Sequence, residues 1–251
     1  MSPRRGLVVG VSGPDSVGWA CARALRDAGA VVTMTCRPAR LARCADLAAA
    51  EGLAVLPLDA DDPASVDAAF ADLDHLDFLL HCIVHAPPGA LKRPLTALTR
   101  AEFDATMGAG VHSLIAVCSR AAPLLATSEA PRVVTLTNAG ADRVMPRYHA
   151  VGIAKAALQA TVRYLAHELG GAGVLCNAVS FSLVASRGAV AAVGQAAVDA
   201  TRSLLARKST TGRATDAEDV AAMVRWLCSP DVRNMTGEVL TVDGGFSQRA
   251  F

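Results

Sequence analysis

Short runs rich in β-branched residues alternate along this chain with longer Ala-, Leu- and Arg-rich stretches of helical period, and no other feature narrows the possible folds so far. The strands expected from it are Leu7–Val11, Val31–Cys36, Ala54–Leu58, Phe78–Ile83, Val133–Thr137, Val174–Val179 and Val239–Val242. Helical patterns fill the intervals at 16–28, 38–51, 63–73, 99–126, 148–170 and 216–228. Strands that read as continuous apolar runs are buried on both faces, as in a parallel sheet covered by helices. The alternation across residues 1–251 therefore predicts an α/β fold: one doubly wound domain with about seven parallel strands and helices on both faces. Residues 184–209 break the rhythm, with Ser186-Arg187-Gly188, an Ala/Val-rich helix and Arg207-Lys208. They follow the sixth strand, beyond whose carboxyl end such sheets bind ligands, and are expected to form a substrate lid. An ordinary surface hairpin of helices is the plainer alternative.

Composition removes whole classes of function. Hydrophobic residues at 52% against 19% charged supply a sizeable core and exclude wholesale disorder. Lys+Arg 24 against Asp+Glu 23 leaves a net charge of +1, without the basic surplus that a nucleic-acid binder needs. Seven scattered cysteines with no C-x-x-C pair suggest neither a metal ribbon nor a disulfide framework, so small buried thiols are expected. Charges or proline interrupt every apolar run before membrane-spanning length. The opening MSPRRGLVVGVSG lacks a full signal-peptide core and reads as a first strand. A cytoplasmic, reduced protein is expected, with no metal and no nucleic-acid or membrane partner.

The first strand leads into Gly10-Val11-Ser12-Gly13-Pro14-Asp15-Ser16-Val17-Gly18 and then a helix. Glycines let backbone approach a pyrophosphate, and a helix N-terminus offers free N–H groups and a positive dipole end. The spacing is not G-x-G-x-x-G, so the loop alone is a weak signal. Asp15 is an awkward neighbour for a phosphate; it either caps the helix or points into water. After the second strand, where an acid usually holds the adenosine ribose of NAD, stands Arg37, followed by Arg40 and Arg43. Guanidinium groups suit a 2′-phosphate, which favours NADPH over NADH; a solvated helix face is the alternative. Asp59-Ala60, ending the third strand, is a candidate adenine contact, with capping by a nearby Asp as the competing reading. His81 and His85 share no fixed face and have no carboxylate cluster, so each is expected to be structural.

Tyr148 and Lys155 lie seven residues apart in a chain with only two tyrosines, inside the sequence Tyr148-His149-Ala150-Val151-Gly152-Ile153-Ala154-Lys155. Seven residues advance about 700° around a helix, about 20° short of two turns, so both side chains share one face. An ammonium near the phenol is expected to lower the tyrosine pKa, which suits a donor to a developing oxyanion.

Gly10-x5-Ser16-x-Gly18, Tyr148-x6-Lys155, Gly152-Ile153-Ala154-Lys155-Ala156, Thr236-Gly237-Glu238-Val239 and Val242-Asp243-Gly244-Gly245-Phe246 together resemble the divergent short-chain dehydrogenase/reductases, and among them bacterial enoyl-acyl-carrier-protein reductase. The commoner branch of that superfamily uses Tyr-x3-Lys, which would require a lysine at Gly152. The resemblance spans essentially the whole chain and implies a Rossmann fold, usually assembled as a homotetramer. It implies that Gly10, Ser16 and Val17 hold the pyrophosphate, Arg37 the adenosine ribose, and Asp59 and Ala60 the adenine. Ile83 would lie beside the nicotinamide, Ala86 beside the substrate, and Lys155 on the nicotinamide ribose. Tyr148 would steady the enolate oxygen formed when hydride reaches the β-carbon of an enoyl thioester.

The chain departs from the family around the substrate. The second active-site tyrosine is Asn138, whose amide can still bond a carbonyl; the glycine after the fourth strand is Val84; Ala-Gly-Pro-Ile is Phe181-Ser182-Leu183-Val184; and Ser186 replaces a threonine. These changes point to altered substrate use in a specialised biosynthetic pathway. Three functions fit: an NADPH-dependent reductase of an α,β-unsaturated carbonyl, a ketoreductase with the same oxyanion donor, and a dinucleotide-binding protein without turnover. Arg187, Arg202, Arg207 and Lys208 on the expected lid meet an acidic carrier protein or a pantetheine phosphate, or form a solvated face, the plainer reading.

Overall fold

A computed structural model of the chain describes residues 2–249. Strands β1 (Arg5–Val9), β2 (Val31–Cys36), β3 (Ala54–Pro57), β4 (Phe78–His81), β5 (Arg132–Asn138), β6 (Leu175–Phe181) and β7 (Val239–Val242) form one parallel sheet in the order β3-β2-β1-β4-β5-β6-β7. The helices are α1 (Val17–Asp27), α2 (Leu41–Ala50), α3 (Pro63–Phe70), α4 (Pro88–Lys92), α5 (Arg100–Met107), α6 (Ser113–Leu125), α7 (His149–Gly170), α8 (Arg187–Val193), α9 (Gln195–Lys208) and α10 (Ala217–Leu227). The expected seven-stranded doubly wound sheet is therefore present, with helices on both faces.

Period-two alternation divides the core. Val8, Leu80 and Val134 face Trp19 and Leu25 of α1 and Val220, Val224 and Leu227 of α10. Leu7, Val9, Leu79 and Val133 face Val117 and Leu125 of α6 and Leu158 and Val162 of α7. Each such side chain, fully removed from water, contributes roughly 1.5–3 kcal/mol against the opposing chain entropy. Because β1 and β4 are neighbours in the sheet, the chain leaves them toward opposite edges. The loops at their carboxyl ends diverge and open a crevice there.

Several boundaries move for local reasons. β1 starts at Arg5 and stops at Val9, because Gly10 takes a positive φ. The 99–126 pattern divides into α5 and α6 around a π turn at Gly108–His112, where Gly110 passes so close to α7 that a Cβ would lie 3.1 Å from that of Ala154. By length and composition, Arg100–Leu125 is after all apolar enough to cross a bilayer, contrary to the sequence expectation; half of it is buried, and α6 is a core helix. The 63–73 pattern ends at Phe70, and α4 had no counterpart among the expected helices. The segment expected as a lid forms two helices, α8 and α9, parted by Gly194 at φ +86. Six of the seven cysteines are buried and all are unpaired.

Candidate active site

Gly10 turns the chain after β1 at φ +96, and a Cβ there would lie 2.5 Å from the Ile83 side chain. The expected phosphate turn and the expected nicotinamide neighbour thus meet at the mouth of the crevice. Gly13 has φ +138 and nothing within 4 Å of where its Cβ would stand, so the turn presents bare backbone. Ser16 caps α1, accepting from the Trp19 amide at 3.3 Å and donating to the Gly13 carbonyl at 2.7 Å. Val17 and Gly18, the first two amides of the helix, have no partner among the described residues. Asp15 does not cap the helix. It pairs with Arg187 of α8 at 2.9 Å.

At the far end of the crevice Arg37 follows β2, partly exposed and 3.4 Å from Asp61. The Asp59 carboxylate accepts from the Asp61 amide at 3.2 Å, while Asp62 caps α3 through the Ala64 amide at 3.0 Å. Capping falls to Asp62, leaving Asp59 and Ala60 beside the end of β3. Asp61 as the partner of Arg37 carried no sequence signal. His81 is fully buried, 2.9 Å from Thr135 Oγ1 and 2.8 Å from Ser113 Oγ. Burial pushes its pKa down to about 3, so it is neutral and structural as expected. His85 is exposed in the following loop, between exposed Val84 and half-buried Ala86.

Tyr148 stands at the N-cap of α7, and Lys155 lies two turns on, buried. The Asn138 amide nitrogen donates to the phenol oxygen at 2.5 Å, and its carbonyl oxygen accepts from the Gly140 amide at 2.9 Å. One Asn138 N–H and its carbonyl oxygen are thus used within the protein, and the second N–H has no partner among the described residues. Burial raises the Tyr148 pKa, and the Asn138 bond opposes this. The expected lowering by an ammonium is not found, because Lys155 Nζ donates to the Leu136 carbonyl at 2.7 Å. Burial pushes the Lys155 pKa down to about 8. The phenol therefore stays protonated at neutral pH, with its oxygen accepting and its own O–H left to donate. A Cβ on Gly152 would lie 2.7 Å from the Gly140 carbonyl, so a lysine has no room there.

Beyond β6, Ser186 caps α8 by accepting from the Ala189 amide at 3.2 Å. Arg202 donates to the Thr215 carbonyl at 2.7 Å and the Leu183 carbonyl at 3.4 Å. With Arg187 paired to Asp15, only Arg207 and Lys208 of the four cations singled out on α8 and α9 lack a partner for their side chains among the described residues. At its far end α9 is tied down by the Thr210 amide on the Gly244 carbonyl at 2.8 Å.

A family model described as enoyl-(acyl carrier protein) reductase matches residues 10–247, nearly the whole chain. The chain belongs to the enoyl-acyl-carrier-protein reductase family. It is 34% identical to the NADH-dependent enoyl-acyl-carrier-protein reductase 2 of Rhizobium meliloti, over 98% of this chain and 92% of that one. With the corresponding NADH enzyme of Salmonella typhimurium the identity is 33%, over 98% and 95%. The Bacillus cereus reductase, solved with NADP+ and indole naphthyridinone, superposes with a TM-score of 0.92 at 29% identity, covering 99% of this chain and 98% of that one. The Anaplasma phagocytophilum reductase, solved with NAD, gives 0.90 at 29% identity, over 99% and 93%. As an enoyl-acyl-carrier-protein reductase family member the chain is an oxidoreductase working with a nicotinamide cofactor, which removes the reading without turnover. The bare turn at Gly10–Gly13 and the free amides of Val17 and Gly18 fit the anionic pyrophosphate of such a cofactor.

Proposed function

We propose that this protein reduces the carbon–carbon double bond of an enoyl thioester carried on an acyl carrier protein, with NADPH as reductant. The observation that carries the reading is the Tyr148 phenol at the N-cap of α7, its oxygen accepting from Asn138 and its own O–H left to donate, two turns before buried Lys155. When bound, the dihydronicotinamide supplies the hydride. Gly10, Ser16 and Val17 would hold its pyrophosphate, Asp59 and Ala60 its adenine, Ile83 and Ser186 its nicotinamide half, and Lys155 its nicotinamide ribose. Ala86 would line the substrate. Tyr148 donates its hydrogen bond to the thioester oxygen as enolate charge gathers there; one such donor is worth roughly 3–4 kcal/mol in the transition state. Asn138 holds the phenol in place and draws no proton from it.

Arg37 carries the NADPH preference. No carboxylate ends β2, and a 2′-phosphate would compete with Asp61 for the guanidinium, 3.4 Å away and exposed. The named relatives are NADH enzymes and the Bacillus cereus structure holds NADP+, so the preference is a property to measure in this chain. Exposed Val84 and the sequence Phe181-Ser182-Leu183-Val184 support a substrate other than an ordinary fatty chain, in a specialised biosynthetic pathway. Arg207 and Lys208 support docking of an acidic carrier. The unpaired thiols suit a reducing compartment, the cytoplasm. A homotetramer is supported by Ile115 of α6 and Ile153 and Tyr164 of α7, apolar or aromatic and partly exposed at 42%, 39% and 77%.

The test is loss of nicotinamide absorbance with a trans-2-enoyl thioester, with NADPH and NADH compared and the product identified. A saturated thioester with kcat/KM higher for NADPH is expected. An alcohol product would replace the reading with ketone reduction, and equal use of both cofactors would remove the claim for Arg37.

A further inference from the structure

Arg147 alone among the described non-glycine residues has a positive φ, +61, and it immediately precedes Tyr148. The Tyr148 amide donates to the Met145 carbonyl at 3.2 Å, closing a turn over Pro146 and Arg147. Proline second and a left-handed residue third is the pattern of a type II turn, whose third position ordinarily goes to Gly or Asn. Arginine has no local compensation there, since its Cβ crowds the backbone in the left-handed region. The turn decides where α7 begins. It sets Tyr148 at the N-cap, φ −122 and ψ 3, with its ring over Gly140 so closely that a Cβ there would lie 2.7 Å from Tyr148 Cδ1. The phenol is thus fixed at three points: its oxygen by Asn138, its ring by Gly140, and its Cα by the reversed backbone of residue 147.

We infer that Arg147 is a positioning residue for Tyr148 that acts through its left-handed backbone and not through its guanidinium. The inference rests on the enoyl reductase reading above. A residue that cannot hold the turn lets the chain relax toward negative φ, rotates the start of α7 and withdraws the phenol from its place, while the cofactor turn after β1 is untouched. Misplacement of a reacting group by about 1 Å lowers rates by as much as about a hundredfold.

The experiment compares the wild type with Arg147→Gly, Arg147→Asn and Arg147→Val. Gly and Asn, which tolerate positive φ, keep kcat within about twofold of wild type. Val, β-branched and strongly disfavoured there, lowers kcat about tenfold or more with cofactor KM within about twofold. Ultraviolet titration of the phenol supplies a readout without turnover. In the Val protein Tyr148 leaves its buried bond and titrates closer to an ordinary tyrosine, and in the Gly protein it does not move. A Gly protein as slow as the Val protein would assign the effect to the guanidinium and overturn the inference. So would a Val protein with wild-type kcat and titration. If Val impairs cofactor binding, Arg147→Thr makes the same comparison, since β-branching opposes the conformation in a smaller side chain. A wild type that binds cofactor but reduces no enoyl thioester would sink the reaction assignment, and the titration series would still decide the turn.

Discussion

At the scale of single residues, half-buried Tyr148 and buried Lys155 do different work. Tyr148→Phe removes the O–H and keeps the ring over Gly140. Its kcat should fall about 10²- to 10³-fold with cofactor affinity unchanged, measured by stopped-flow turnover and fluorescence titration. Lys155 is a charged group in the core whose pKa of about 8 lies below the ordinary 10.5. The unfolded chain therefore binds more protons between those values, so this lysine weakens the fold below about pH 8 and the penalty disappears as pH rises through 10.5. Lys155→Met should be more stable than wild type at pH 7 by about 1–3 kcal/mol, the shift being offset by the Leu136 carbonyl left without its donor. The gain should vanish in melts near pH 10.5, and turnover should be lost at every pH. A variant less stable than wild type at pH 7 would show that the lysine holds the fold through Leu136.

Among elements, contacts between distant segments set the geometry. The turn after β5 packs against α7 because Gly140 and Gly152 face each other without side chains. Gly152→Ala should destabilise the protein by roughly 1–3 kcal/mol and lower kcat as well, since the displaced Gly140 lies under the Tyr148 ring. Melting and turnover of the same preparation check both. The Asp15–Arg187 pair joins the turn after β1 to α8 with its two side chains 56% and 51% exposed, so salt screens it and it is worth at most about 1 kcal/mol. Arg187→Gln should speed amide exchange across α8 by about two- to fivefold at low salt, with little difference at high salt. Equal exchange in both proteins at low salt would mean that α8 and α9 are held elsewhere, through Arg202 or the Thr210–Gly244 bond.

For the whole molecule, the proposed homotetramer makes α7 structural on both sides, with Lys155 and Leu158 turned inward and Tyr164 outward. Native mass measurement should give four chains, and Tyr164→Glu should yield smaller species that keep the fold; an unchanged assembly would clear α7 of that duty. The sequence by itself determined that about seven parallel strands alternate with helices in one doubly wound domain, because period-two and period-3.6 patterns are written locally and buried βαβ units have few ways to pack; the order of the strands in the sheet came from the structure. It also marked Gly10, Ser16, Tyr148 and Lys155, whose spacing lies within one turn or one helix. What it could not carry were relations between segments distant along the chain. Asp15 finds Arg187, Arg37 finds Asp61, and Lys155 finds the Leu136 carbonyl in place of the phenol. The direction of the Tyr148 pKa was decided the same way: it depends on which groups crowd the phenol once the chain is folded, and burial outweighs the charge that spacing alone suggested.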